Sequence, residues 1–118
     1  MTALQRAVVI AEWILISLFA LVSVMMLVDL PSAWNAQPCS AGITPNCYPW
    51  GWTEGPLAGA SWNYSSKQNY LVAGFYLLGV TALALTSMPW LPPGRRIFAL
   101  LAAIALLYVG HYFIPLVL

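Results

Sequence analysis

Residues 7–28 read AVVIAEWILISLFALVSVMMLV, an apolar run broken only by Glu12 and two serines. About 20 such residues cross about 30 Å of hydrocarbon. No water reaches that depth to bond the backbone, so the run must be helical, with its hydrogen bonds internal. The alternation at period two that marks a barrel strand is absent. Two further runs match it in kind: YLVAGFYLLGVTALALTSM at 70–88 and IFALLAAIALLYVGHYFIPLVL at 97–118. The expected fold is an all-α integral membrane protein with three transmembrane helices, forming a single membrane domain over residues 1–118.

Composition supports the same solvent. Of 118 residues, 62% are hydrophobic and 6% charged. A soluble domain carries about 25% charged residues. A net charge of +1 leaves no basic patch to release counterions from phosphates, which excludes nucleic acid as a partner. The first run is longer than a signal-peptide core and contains Glu12, so a retained helix is expected.

Basic residues set the threading. Arg6 precedes the first run, and Arg95 and Arg96 lie in PWLPPGRR between the second and third. The positive-inside rule places these in the cytoplasm of an inner or plasma membrane. The N-terminus is then cytoplasmic and the C-terminus exoplasmic. Residues 29–69 become an exoplasmic loop of about 40 residues, with Lys67 as the one basic residue against the trend. Cys39 and Cys47 both fall in that loop, within CSAGITPNC. An oxidising compartment would join them in a disulfide clip, worth about 2–3 kcal/mol. Two thiols with no histidine nearby make a poor metal site.

Prolines 31, 38, 45, 49 and 56 are expected to stop long helices in the loop. Its aromatic content, with Trp34, Tyr48, Trp50, Trp52, Trp62 and Tyr64, requires a surface to bury against. Three readings stay open. The rings rest at headgroup level as an aromatic belt, or Trp34, Trp50, Trp52 and Trp62 form a docking surface for an exoplasmic protein partner, or the rings stack on a sugar or quinone, for which no specific motif is present. The NYS at Asn63 matches a glycosylation acceptor but sits only seven residues before Tyr70.

Polar residues inside the runs are the candidates for chemistry. Glu12 is a costly group in hydrocarbon. It pairs with Arg6, Arg95 or Arg96, or it carries a proton. In the second role it resembles the first-helix glutamate of small four-helix proton-coupled multidrug transporters, from which this chain departs in span number and loop length. Ser17 and Ser23 are expected to bond back to their own helix. Gly79, Ala82 and Thr86 on the second helix, and Ala99, Ala103 and Gly110 on the third, are expected to form the faces of an antiparallel hairpin. His111, the only histidine, shares a helix face with Tyr108 and is followed by Tyr112. Pro115 has no amide for the His111 carbonyl, which is left free. The cluster suits hydrogen bonding within the chain, or a haem or quinone held together with a partner subunit.

The sequence contains no nucleophilic triad, carboxylate cluster, phosphate loop or dinucleotide motif, so no enzyme activity is expected. In size and helix count the chain resembles the membrane anchors of succinate dehydrogenase-type complexes. The expected function is that of a small accessory subunit of a larger membrane complex, first among them an electron-transfer complex, contacting lipid and other membrane subunits. No cofactor is expected of the chain alone. The rival expectations are a haem- or quinone-binding anchor using His111 and a small proton-coupled transporter using Glu12.

Overall fold

The computed structural model describes residues 1–38, 47–48, 50 and 62–118. Three α-helices dominate: α1 (Ala3–Asn35), α2 (Lys67–Ser87) and α3 (Arg96–Phe113). Short 3-10 turns follow α2 (Met88–Trp90) and α3 (Ile114–Leu116), and another precedes α2 (Trp62–Tyr64). All three helices are long and apolar enough to cross a membrane. The loop adds two very short strands, β1 (Gln37–Pro38) and β2 (Cys47–Tyr48), paired in parallel with Gln37 opposite Cys47. Cys39 and Trp52 lie outside the described residues.

α1 exceeds its expected span at both ends. It begins at Ala3 because Thr2 and Gln5 form a capping box, the Thr2 hydroxyl accepting from the Gln5 amide and the Gln5 side chain accepting from the Thr2 amide. It continues to Asn35 through Pro31, which does not stop it. A proline inside a helix costs about 3 kcal/mol, and packing on either side offsets this. Leu30 is buried against Gly74, where an added Cβ would meet the leucine side chain. Ala33 is fully buried among Trp50 and Tyr70. Lys67, the first residue of α2, donates from Nζ to the carbonyls of Trp34 at 2.6 Å and Ala36 at 2.9 Å. A cation on the last carbonyls of a helix complements its dipole. The basic residue against the charge trend thus caps the far end of α1.

The buried positions of α1 are Glu12, Phe19, Ser23, Leu30 and Ala33, a single stripe at spacings of seven, four, seven and three. Most other large side chains of α1, from Trp13 to Val28, face outward. A helix apolar on both faces has lipid, not water, as its expected surroundings. α1 packs chiefly on α2, and α2 on α3. Phe19, Ala84, Met88, Leu100 and Ala103 form the main core, near the α2–α3 turn.

On α2 the small residues in contact differ from those expected. Gly79 and Thr86 are exposed, and a Cβ on Gly79 would meet nothing within 4 Å. Tyr70, Gly74, Thr81 and Ala84 are the buried positions of α2, whereas on α3 Ala103 and Gly110 are buried as expected, beside Leu100. The reason is the bulk opposite them. Leu30 fills the space over Gly74, and the Tyr76 ring lies over Gly110. Ser17 bonds back to the Trp13 carbonyl as expected. Ser23 instead crosses to α2, its hydroxyl donating to Thr81 Oγ1 at 2.9 Å in a buried contact.

Glu12 is 1% exposed and makes no use of the arginines expected to pair with it. Its carboxylate accepts from the Gly94 amide at 2.9 and 3.1 Å and from the Ile97 amide at 2.8 Å. Ile97 is the second residue of α3 and Gly94 directly precedes its N-cap residue, Arg95, which supplies no side-chain cap. Gly94 has φ +94°, a conformation that glycine adopts without strain. It sits third in a turn closed by the Arg95 amide on the Pro92 carbonyl at 3.1 Å. Arg96 faces the other way and binds the carbonyls of Met88 and Leu91. The oppositely charged side chains divide the turn's donors and acceptors between them.

Removing this cap has a measurable cost. Glu12→Gln should lose about 1–2 kcal/mol, the range for a helix N-cap. Glu12→Ala should lose more, because two amides are left unsatisfied at about 1–3 kcal/mol each. Thermal or denaturant unfolding of the purified protein in detergent micelles measures both, and equal stability of the three proteins would contradict the cap.

Candidate functional site: an aromatic cleft at the loop end of the bundle

The end of the bundle opposite Glu12 holds most of the expected site residues. α2 opens with Ser66 as N-cap, its hydroxyl accepting from the Asn69 amide. This sets Tyr70 and Gly74 on the buried face of α2, toward α1. The Tyr70 hydroxyl donates to Asp29 of α1. Around that bond the aromatic rings collect. Tyr48 stacks on Trp50 with centroids 4.4 Å apart, and Tyr70 meets Tyr48 at 5.2 Å and Tyr64 at 5.6 Å. Trp50 is only 6% exposed. Its ring packs within the chain, against Tyr48 and Tyr70. Its indole Nε1 is buried without a hydrogen-bond partner. Trp34 differs, at 60% exposed, with only an edge contact to Phe75 at 6.4 Å.

The carbonyl freed by Pro115 finds its donor in the loop. Trp62 Nε1 donates to the His111 carbonyl at 2.7 Å, and the two rings lie 5.8 Å apart. The turn that carries Trp62 is thereby tied to α3. The Tyr76 hydroxyl donates to the Leu106 carbonyl one turn earlier on α3. Tyr76 is a functional-site residue that the sequence reading missed. Its signal was Gly110, the small residue that lets an aromatic ring from α2 lie against α3.

Between these ties lies a cleft of about 280 Å³. Met26, Leu77 and Leu107 line it toward the middle of the bundle, and Trp62, Tyr64 and Tyr70 toward the loop. His111, Tyr76, Asn63 and Ala73 also line it. His111 lies about 22 Å along α3 from its start. Its imidazole contacts the rings of Trp62 and Tyr112, and neither ring nitrogen is hydrogen bonded to another described residue. Tyr108 and Tyr112 are 65% and 69% exposed and border a shallower groove shared with His111 and Leu107. His111, itself exposed, thus borders both spaces: the cleft with Trp62, Tyr64 and Tyr76, and the outer groove with Tyr108 and Tyr112.

Among the described residues, no three of His, Cys, Asp or Glu gather to hold a metal ion. A haem would find His111 as the only imidazole of the chain, with its second axial position left to another subunit. The described lining offers one imidazole, tyrosine oxygens and several aromatic faces. No protein-family model, curated protein or solved structure matches the chain.

Packing also changes the acidity of the loop cluster. Burial raises the Tyr48 phenol to about 12, helped by the negative charge of Asp29 and by Tyr64. The unfolded value is about 10. Since the folded form holds the proton more tightly, Tyr48 stabilises the fold fully below pH 10. That contribution is lost as pH rises from about 10 to about 12. Absorbance titration at 295 nm should show one tyrosine ionising near pH 12, a step that disappears in Tyr48→Phe. A Tyr48→Phe protein with the same titration curve as the parent would contradict it.

Proposed function

We propose that this chain is a small accessory subunit of a larger membrane complex, with an electron-transfer complex as the first class to test. One observation carries the reading. The three buried polar side chains of the helices, Glu12, Ser23 and Thr81, are all engaged in holding helices together. Glu12 caps α3. Ser23 bonds Thr81, and Thr81 donates to its own helix. A transporter needs a carboxylate that can exchange its ligand, whereas this one is enclosed at one end of the bundle. Support for a partner comes from α2. The face carrying Gly79 and Thr86 is open, and small residues let a second helix approach closely in lipid.

The protein's surroundings belong to the same proposal. Arg6 and the Arg95–Arg96 turn lie at one end of the bundle, since Glu12 of α1 reaches Gly94. The positive-inside rule makes that end cytoplasmic and the loop exoplasmic. Cys39 and Cys47 then form a disulfide in an oxidising compartment. The exposed Trp34 is the tryptophan best placed to meet an exoplasmic partner.

Two measurements test the reading. Extraction of native membranes in mild detergent should yield this chain in one native-gel band with other integral membrane chains. Gly79→Leu should release it from that band while its own thermal unfolding is unchanged. Migration of the parent protein alone would end the proposal. For the loop, a thiol reagent confined to the outside of cells or spheroplasts should add two labels after reduction and none before. Labelling without reductant, or only after the membrane is opened, would overturn the disulfide or the orientation respectively.

A further inference from the structure

We propose that the cleft between α1, α2, α3 and the Trp62–Tyr64 turn binds the head ring of a membrane quinone or quinol. The class is a planar, uncharged ring bearing carbonyl or hydroxyl oxygens on an apolar tail. The inference goes beyond the accessory role and does not depend on which complex the chain joins.

Four features of the cleft select that chemistry. The first is size. About 280 Å³ is at the lower end of small-molecule sites, which start near 300 Å³; one substituted ring fits, and a tetrapyrrole does not. The second is charge. Among the described residues, no lysine, arginine or carboxylate lines the cleft. Lys67 is committed to the end of α1 and Asp29 to Tyr70. A phospholipid phosphate would find no cation there, whereas a neutral ring suffers no electrostatic penalty. The third is the walls. Trp62, Tyr64 and Tyr70 offer aromatic surfaces on the loop side, and aromatic rings pair favourably with offset or edge contacts.

The fourth feature is the polar groups that remain. Trp62 Nε1 and the Tyr76 hydroxyl proton are already used on α3 carbonyls. His111 keeps an imidazole with a donor and an acceptor nitrogen, uncommitted within the described residues. It can donate to a quinone carbonyl or accept from a quinol hydroxyl without a change of fold. The Tyr76 oxygen retains a lone pair as a second acceptor. Toward the bundle middle the lining turns apolar, with Met26, Leu77 and Leu107, the direction in which an isoprenoid tail would leave for the hydrocarbon. Because the bond from Trp62 goes to the His111 backbone, replacing the imidazole leaves the tie between turn and helix in place.

The test uses the full chain in phosphatidylcholine nanodiscs and an azido-benzoquinone with a decyl tail as photoprobe. Adducts should map by mass spectrometry to residues 62–77 and 107–114, and unlabelled decyl-benzoquinone should compete them away. His111→Ala should weaken half-saturation about tenfold, the size of one lost hydrogen bond. Ala73→Phe, which fills the cleft, should abolish the adducts with no change in thermal unfolding. Adducts spread along the outer face of α1, as for any lipophile, would overturn the proposal. So would adducts indifferent to Ala73→Phe, or competition by phosphatidylglycerol or a sterol as effective as that by the quinone. Failure here leaves the co-purification result untouched, so the two readings are tested separately.

Discussion

The buried carboxylate of Glu12 is the constraint on which the bundle depends. α3 begins with Arg95 and Arg96 and has no acidic residue in its first turn, so its unpaired amides must find an acceptor elsewhere. In a low-dielectric setting an unpaired buried polar group is costly, and an anion at a helix N-terminus is favoured by the dipole. Glu12 meets both needs from a different helix, 82 residues away from Gly94 in sequence. It thereby fixes the height of α1 against the α2–α3 turn. Once that register holds, Phe19, Ser23 and Leu30 fall in order against α2, and each finds the partner the packing requires.

The same device recurs at the other end with the charges reversed. Lys67 of α2 binds carbonyls at the end of α1, as Glu12 of α1 binds amides at the start of α3, those of Gly94 just before it and Ile97 in its first turn. Few charged residues exist in this chain, and those two are placed where backbone groups would otherwise be orphaned. This explains why α1 can be 33 residues long, about 50 Å, and thus longer than the hydrocarbon alone demands. Both of its ends are held by specific bonds: the capping box of Thr2 and Gln5 at one, and Lys67 at the other.

The three apolar runs were legible because span length and hydrophobicity are properties of composition along the chain. The packing faces were not. Gly74 and Gly79 are equivalent in sequence terms, and only Leu30 against the first and open space against the second distinguish them. The role of Glu12 was hidden for a related reason. Sequence reading pairs charges with charges, whereas the acceptors and donors that matter here are backbone groups whose availability depends on where a helix starts. Pro31 was misread as a stop because its local cost is visible in sequence and the packing of Leu30 and Ala33 is not. At the site, the free carbonyl of His111 followed directly from Pro115. Its donor, Trp62, did not, because nothing local connects a loop indole to a helix end 49 residues on.

That indole-to-carbonyl bond links the loop to the chemistry of the cleft. A helix carbonyl released by proline needs a donor from outside its helix, and here the loop supplies it. Trp62 does so with its only polar atom, which leaves its ring as a wall and nothing more. Tyr76 and Tyr70 behave alike, each donating its hydroxyl proton to a neighbour and presenting its ring. Of the polar side chains described at this end, the His111 imidazole is the one whose position is set by these ties while its own nitrogens remain uncommitted. An imidazole held beside aromatic faces, with no charged side chain among the described lining residues, is the ground on which the proposed neutral polar ring rests: a charged ligand would gain nothing from that lining, whereas a ring oxygen can meet the imidazole.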